Sequence, residues 1–293
     1  MQSHQWRWGI KQWVEYLRDR DLPVRPETHA ALADMEALPP EEKERLSALD
    51  IRLLVYSDPY LALKILRRAE ERRTRHLGRD TTTPLAAILQ TGYDEILQIV
   101  QSSHDFGEHP AGCRSCEVRS VFAETIGRSW AEHRADISPD EVAMAALLAD
   151  IGELLLWHHA PEMTDKETRI RDWNERFWAL NHRPSEMEFS FRQLTAALAQ
   201  AWDLPNLVVL LIRGVDTLRA NLSRLASETA KLLTDTPDVD PAELVAILHK
   251  LAPLLPGISP HGIVAPLGLS EDIQAQTIAL LMQGQHEQGG GRA

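Results

Sequence analysis

Several prolines of this sequence directly follow a residue whose side chain can cap a helix. Ser138-Pro139-Asp140-Glu141 reads as an N-cap, a proline at the first helical position and a capping-box glutamate at the third. Asp240-Pro241-Ala242-Glu243 repeats that grammar, Asp58-Pro59 and Thr83-Pro84 give cap and proline, and Ser185 with Glu188 forms another box. Each cap oxygen accepts from amides that the first helical turn leaves orphaned. Proline loses nothing there, because its missing N–H would have been unpaired.

Helical period follows these starts. Leu61, Ile65 and Leu66 fall at compatible spacing after Asp58, and Leu222, Leu225, Leu232 and Leu233 do so later. No stretch alternates apolar and polar residues within turn signals, so strands are not expected. The fold class is all-α, about a dozen helices joined by short loops. Val142 to Leu156 is apolar nearly all round and is expected as a central helix, covered on every side.

Four regions suggest themselves. Residues 1–21 form an amphipathic helix with Trp6, Trp13 and Leu17 on one side, and residues 22–220 the main helical body. Residues 221–283 form a helical extension, broken at Leu254 to Pro260. Residues 284–293 carry four glycines and are expected to be disordered. Trp173, Phe177 and Trp178 lie on a charged helix, Asp165 to Leu180, and read as core in preference to a docking patch.

A net charge of −12 argues against broad adhesion to nucleic acid or an anionic membrane, since both need a positive surface. Two cysteines build no disulfide framework and point to a reducing compartment. Met1 to Ile10 holds no apolar core of signal-peptide length, and no unbroken apolar run, Leu207 to Ile212 included, approaches the ~18 residues needed to span a bilayer. A cytoplasmic location is therefore expected, without membrane contact.

Several strings arrive in a characteristic order: Leu22-Pro23-Val24, Asp58-Pro59-Tyr60-Leu61, Thr83-Pro84-Leu85-Ala86-Ala87-Ile88-Leu89, Gly92-Tyr93, Leu147-Leu148-Ala149-Asp150-Ile151-Gly152 and Ala201-Trp202-Asp203-Leu204-Pro205. Over residues 22–215 this set resembles the HDOD family, the HD-related output domain of bacterial signalling proteins. The resemblance implies a helical HD-like fold related to the HD and HD-GYP phosphohydrolases, which hold divalent metals through histidines and a His-Asp pair. Here that pair reads Ala149-Asp150. The other ligand positions fall on Arg119, Phe191 and Arg213. Alanine cannot ligate, and one carboxylate cannot hold a catalytic metal, so neither a cofactor nor catalysis is expected. Two readings stay open for Asp150: an ion pair with Arg119 filling the former metal site, or hydrogen bonds to a nearby amide or hydroxyl.

Three other groups carry chemistry. His104, His109, Cys113 and Cys116 fall within thirteen residues and offer a tetrahedral zinc set. The favoured alternative is a polar loop before a helix starting near Ser115, because a single CxxC is a weak signal. Lys64, Arg68, Arg72 and Arg75, followed by Arg79, form a basic stripe that could grip an anion or an acidic partner. The favoured alternative is a solvated face laced by ion pairs. His158-His159 ends the central helix, where cationic groups suit the helix dipole, and neighbours at i, i+1 point apart.

The expected function is a non-catalytic regulatory module of signal transduction that binds a signalling protein or a small effector. No kinase, receiver or cyclase segment accompanies it, so it is expected to act in trans. The alternatives are a divergent metal-dependent phosphohydrolase and a zinc-stabilised interaction protein.

Overall fold

The computed structural model describes residues 8–76, 81–104, 111–161, 189–215, 217–236 and 238–289. Among the described residues, helices are the only regular elements. In chain order they are α1 (Ile10–Leu17), α2 (Pro26–Ala37), α3 (Pro40–Lys43), α4 (Ala48–Tyr56), α5 (Pro59–His76), α6 (Pro84–Thr91), α7 (Tyr93–Ser102) and α8 (Ala111–Ala131). There follow α9 (Pro139–Leu147), α10 (Ile151–His159), α11 (Phe191–Ala201), α12 (Asn206–Arg213), α13 (Leu218–Asp235), α14 (Pro241–Leu251), α15 (Pro260–Val264) and α16 (Glu271–Gly289). The all-α expectation holds.

The proline grammar places the starts correctly. Pro59, Pro84, Pro139 and Pro241 each open a helix. Asp240 Oδ1 accepts from the Ala242 amide at 2.8 Å, and Thr83 Oγ1 from the Ala86 amide at 3.3 Å. Ser185, Glu188, Trp173, Phe177, Trp178 and Trp6 lie outside the described residues.

The chain divides into two units, Met1–Glu117 with Leu148–Val209, and Val118–Leu147 with Leu210–Ala293. In the first, Trp13 and Leu17 of α1 are fully buried, and α1 packs on α11. The Trp202 indole donates to the Arg18 carbonyl at 2.7 Å, satisfying one of the acceptors left at the end of α1. α5 packs along α6, and Gly92, at φ +82°, ends α6 and begins α7 in a conformation that side chains resist.

In the second unit Ile126 and Trp130 of α8, Val142 of α9, Leu222 and Leu225 of α13, and Leu244 and Leu248 of α14 form one apolar core. The Trp130 indole donates to the Ile263 carbonyl at 2.9 Å, so a large apolar ring is buried without orphaning its N–H.

The expected single helix over Val142 to Leu156 is interrupted. A turn at 148–150 separates α9 from α10, although nearly every residue of the run is buried, as expected. By length and composition Pro139–His159 could cross a membrane, but 72% of its apolar window is buried inside the protein.

Candidate functional site

The site is assembled from the end of the Leu22-Pro23-Val24 segment and the starts of α5 and α8, with the end of α10. Asp58 is wholly buried and caps α5. Its Oδ1 accepts from the amides of Tyr60 at 2.8 Å and Leu61 at 3.0 Å. Its Oδ2 accepts from the Arg25 amide at 2.9 Å and the Thr28 hydroxyl at 2.8 Å. Four donors and a helix N-terminus make a buried carboxylate tolerable. The same four bonds fix Arg25 against the first turn of α5, and so fix Tyr60 two residues on.

Tyr60 is also fully buried. Its hydroxyl lies 2.7 Å from His158 Nε2, 2.9 Å from Glu117 Oε1 and 3.7 Å from Cys113 Sγ. Cys113 and Glu117 stand one turn apart on α8, on a common face. Their Sγ and Oε1 are 3.8 Å apart, and Cys113 Sγ is 3.6 Å from His158 Nε2. The other carboxylate oxygen of Glu117 faces Arg25, whose Nε is 3.9 Å away and whose Nη1 donates to the Ser57 carbonyl at 2.6 Å. The tyrosine and histidine rings meet edge to face at 5.3 Å.

Gly112 sets the approach of α8 to α10. A Cβ at that position would lie 2.2 Å from the Trp157 ring, so only glycine lets α8 lie flush on this indole, one residue before His158. Burial, then the Glu117 charge, pushes the Cys113 thiol up to about 12. The Tyr60 hydroxyl is pushed well above its usual range, chiefly by burial. Both groups therefore hold their protons at neutral pH.

His158 and His159 diverge, as neighbours on a helix must. His159 Nε2 is 2.9 Å from the Asp21 carbonyl oxygen, and the Tyr16 hydroxyl donates to the His159 carbonyl at 3.4 Å. Burial pulls the His159 pKa down, outweighing the bond to the Asp21 carbonyl that favours its cation.

Among the described residues the members of the predicted zinc set do not converge. α8 begins at Ala111, four residues before the expected start, so Cys113 and Cys116 are buried helix residues and not loop residues. His104 is exposed and pairs with Asp21 at 2.9 Å, while His109 lies outside the described residues.

The basic stripe is laced to its neighbours where it is described. Lys64 donates to the Ser103 hydroxyl at 2.6 Å and lies 3.7 Å from Asp21. Arg68 pairs with Glu95, and with Glu71 at 2.9 Å. Arg72 pairs with Glu95 and donates to the carbonyls of Gln90 at 2.9 Å and Thr91 at 2.8 Å, at the end of α6. The Arg75 side chain and all of Arg79 lie outside the described residues.

Of the positions that the resemblance assigns to metal ligands, Ala149, Asp150 and Phe191 fall in the first unit, and Arg119 and Arg213 in the second. Ala149 is buried. Asp150 is half-buried just before α10, Phe191 opens α11 half-buried, and Arg213 is exposed at the end of α12. Arg119 is buried and lies 3.7 Å from Asp235. Next to this motif Gly152 donates its amide to Thr195 Oγ1 at 3.0 Å, and a Cβ on Gly152 would lie 2.9 Å from the Thr195 nitrogen.

Sequence reasoning missed the convergence of Tyr60, Glu117 and His158 on Cys113. The Cys113–Glu117 spacing was a legible signal. Tyr60 and His158 arrive from 53 residues before and 45 residues after Cys113, through tertiary packing.

The chain is similar in fold to the MmoQ response regulator of Methylococcus capsulatus str. Bath, with 20% identity over 89% of this chain and 99% of that one, at a TM-score of 0.54. It is similar also to a virulence factor from Campylobacter jejuni subsp. jejuni, with 14% identity over 94% of this chain and 99% of the other, at a TM-score of 0.64. A search of curated proteins finds no match. The family model of the HDOD domain matches residues 26–217, more than half of the sequence, and includes Asp58, the Ala149-Asp150 pair and the Tyr60–Cys113–Glu117–His158 cluster: the chain belongs to the HDOD family.

Proposed function

We propose that this protein is a non-catalytic regulatory module of signal transduction, which binds a signalling protein or a small effector through its HDOD scaffold. The observation that carries this reading is the match to the HDOD domain; beside it, Ala149, a buried methyl group, stands where the resemblance to the HD enzymes would put a ligating histidine. A methyl group has no lone pair to offer a metal. The signalling sense is carried over from the family and from MmoQ, which is named a response regulator.

Two measurements test it. The purified full chain is incubated with phosphomonoesters, phosphodiesters and cyclic dinucleotides in Mn²⁺ and in Fe²⁺. The expected result is no turnover above buffer. Turnover lost in Asp150→Ala would replace the regulatory reading with the phosphohydrolase one. In-cell photo-cross-linking then identifies the partner, and calorimetry with that purified partner is expected to give a saturable complex.

A further inference from the structure

We infer that Cys113 Sγ, Glu117 Oε1 and His158 Nε2 form a binding site for one zinc-class divalent cation, at the junction of α5, α8 and α10. This site is separate from the Ala149-Asp150 positions, two helical turns away along α10, and does not depend on the regulatory reading.

The donor chemistry is selective. Thiolate, imidazole and carboxylate together suit a borderline d-block cation, whereas calcium and magnesium prefer oxygen alone. The three donor atoms lie within 4.8 Å of one another. Tetrahedral zinc with the usual bond lengths separates sulfur from nitrogen or oxygen by about 3.5–3.6 Å. Here the separations are 3.6 Å for sulfur to nitrogen and 3.8 Å for sulfur to oxygen. The side chains therefore stand near ligand spacing, and only small rotations are needed to close the site.

The surroundings have the form of a supporting shell. Arg25 engages Oε2 of Glu117, which leaves Oε1 turned to Cys113 and Tyr60. Tyr60 donates to Glu117 Oε1 and is itself fixed by the Asp58 cap, and its contact with His158 Nε2 gives way when that nitrogen takes the metal. Ligand orientation by such neighbours is typical of metal centres. Charge also balances: binding sends the Cys113 proton to solvent, and one thiolate with one carboxylate neutralises the dication. The competing arrangement is a hydrogen-bonded network alone, with Tyr60 donating to Glu117 and the imidazole donating to Tyr60.

The test uses the full chain, stripped with chelator and titrated with Zn²⁺ against a chromophoric competitor, and separately with Co²⁺. One equivalent of Zn²⁺ is expected, and the Co²⁺ form is expected to show a thiolate-to-cobalt charge-transfer band. Cys113→Ser should abolish that band and His158→Gln should prevent tight binding, while Cys116→Ser keeps both. Tyr60→Phe should weaken affinity by about 10–100-fold without losing the band. Absence of the band in the unaltered chain overturns the site and leaves the hydrogen-bonded network only, whatever the folding of the variants. A band that survives Cys113→Ser but vanishes in Cys116→Ser also overturns it.

Discussion

Asp58 accepts the backbone amide of Arg25 at 2.9 Å across 33 residues of chain. The bond ties the residue that follows one family string to the first residue of the next and makes a helix cap into a tertiary anchor. Asp58→Ala should lower stability by at least ~3 kcal/mol, because four donors lose their acceptor in a buried place. Asp58→Asn should cost less, about 1–3 kcal/mol, since its oxygen can serve one pair of donors while its amide faces the other. Urea denaturation of both variants checks this; equal stability of Asp58→Ala and the unaltered chain would refute the anchor.

Asp203 sits at φ +52° at the end of α11. Around it Leu204 donates to the Ala199 carbonyl at 3.0 Å and Asp203 to that of Gln200 at 3.1 Å, the paired bonds of a Schellman motif. Glycine adopts this conformation without Cβ strain. Asp203→Gly is expected to raise stability by up to about 1 kcal/mol, seen as a higher Tm.

Two helical glycines should respond oppositely to alanine. At Gly152 the new methyl would meet the Thr195 nitrogen at 2.9 Å, so Gly152→Ala should cost about 1–3 kcal/mol. At Gly127 it would meet Ala226 and Val142 at 3.4 Å, ordinary contact, and Gly127→Ala should gain up to about 1 kcal/mol in helix propensity. Thermal melts of the two variants should shift in opposite directions.

Glu124 is buried on α8, with Arg128 Nη2 2.7 Å from its carboxylate. Burial outweighs that pairing and pushes its pKa up to about 7 from the ordinary 4.5. Between those values the folded chain keeps a proton that the unfolded chain has released. Stability contributed by this group is thus complete at low pH and falls as pH rises through the window. Glu124→Gln should gain on the unaltered chain by about 2–3 kcal/mol between pH 5 and pH 8. Denaturation curves at those two values check it; a difference independent of pH would refute it.

The helix starts were legible because capping is local. Asp58, Thr83 and Asp240 bond to amides two or three residues away, so sequence spacing alone carries the information. The all-α class followed for the same reason, and the ordered strings carried the family. The break at 148–150 was less legible, because an apolar run looks alike whether one helix or two pass through it.

The amino-acid sequence by itself determined the all-α class, the helix starts and their caps. Only the tertiary structure decided that Cys113 turns to Glu117 and His158 instead of joining Cys116 and His104. The physical reason lies in packing: a glycine admits Trp157 against α8, and the Asp58 cap aims Tyr60, over chain separations that no spacing rule spans.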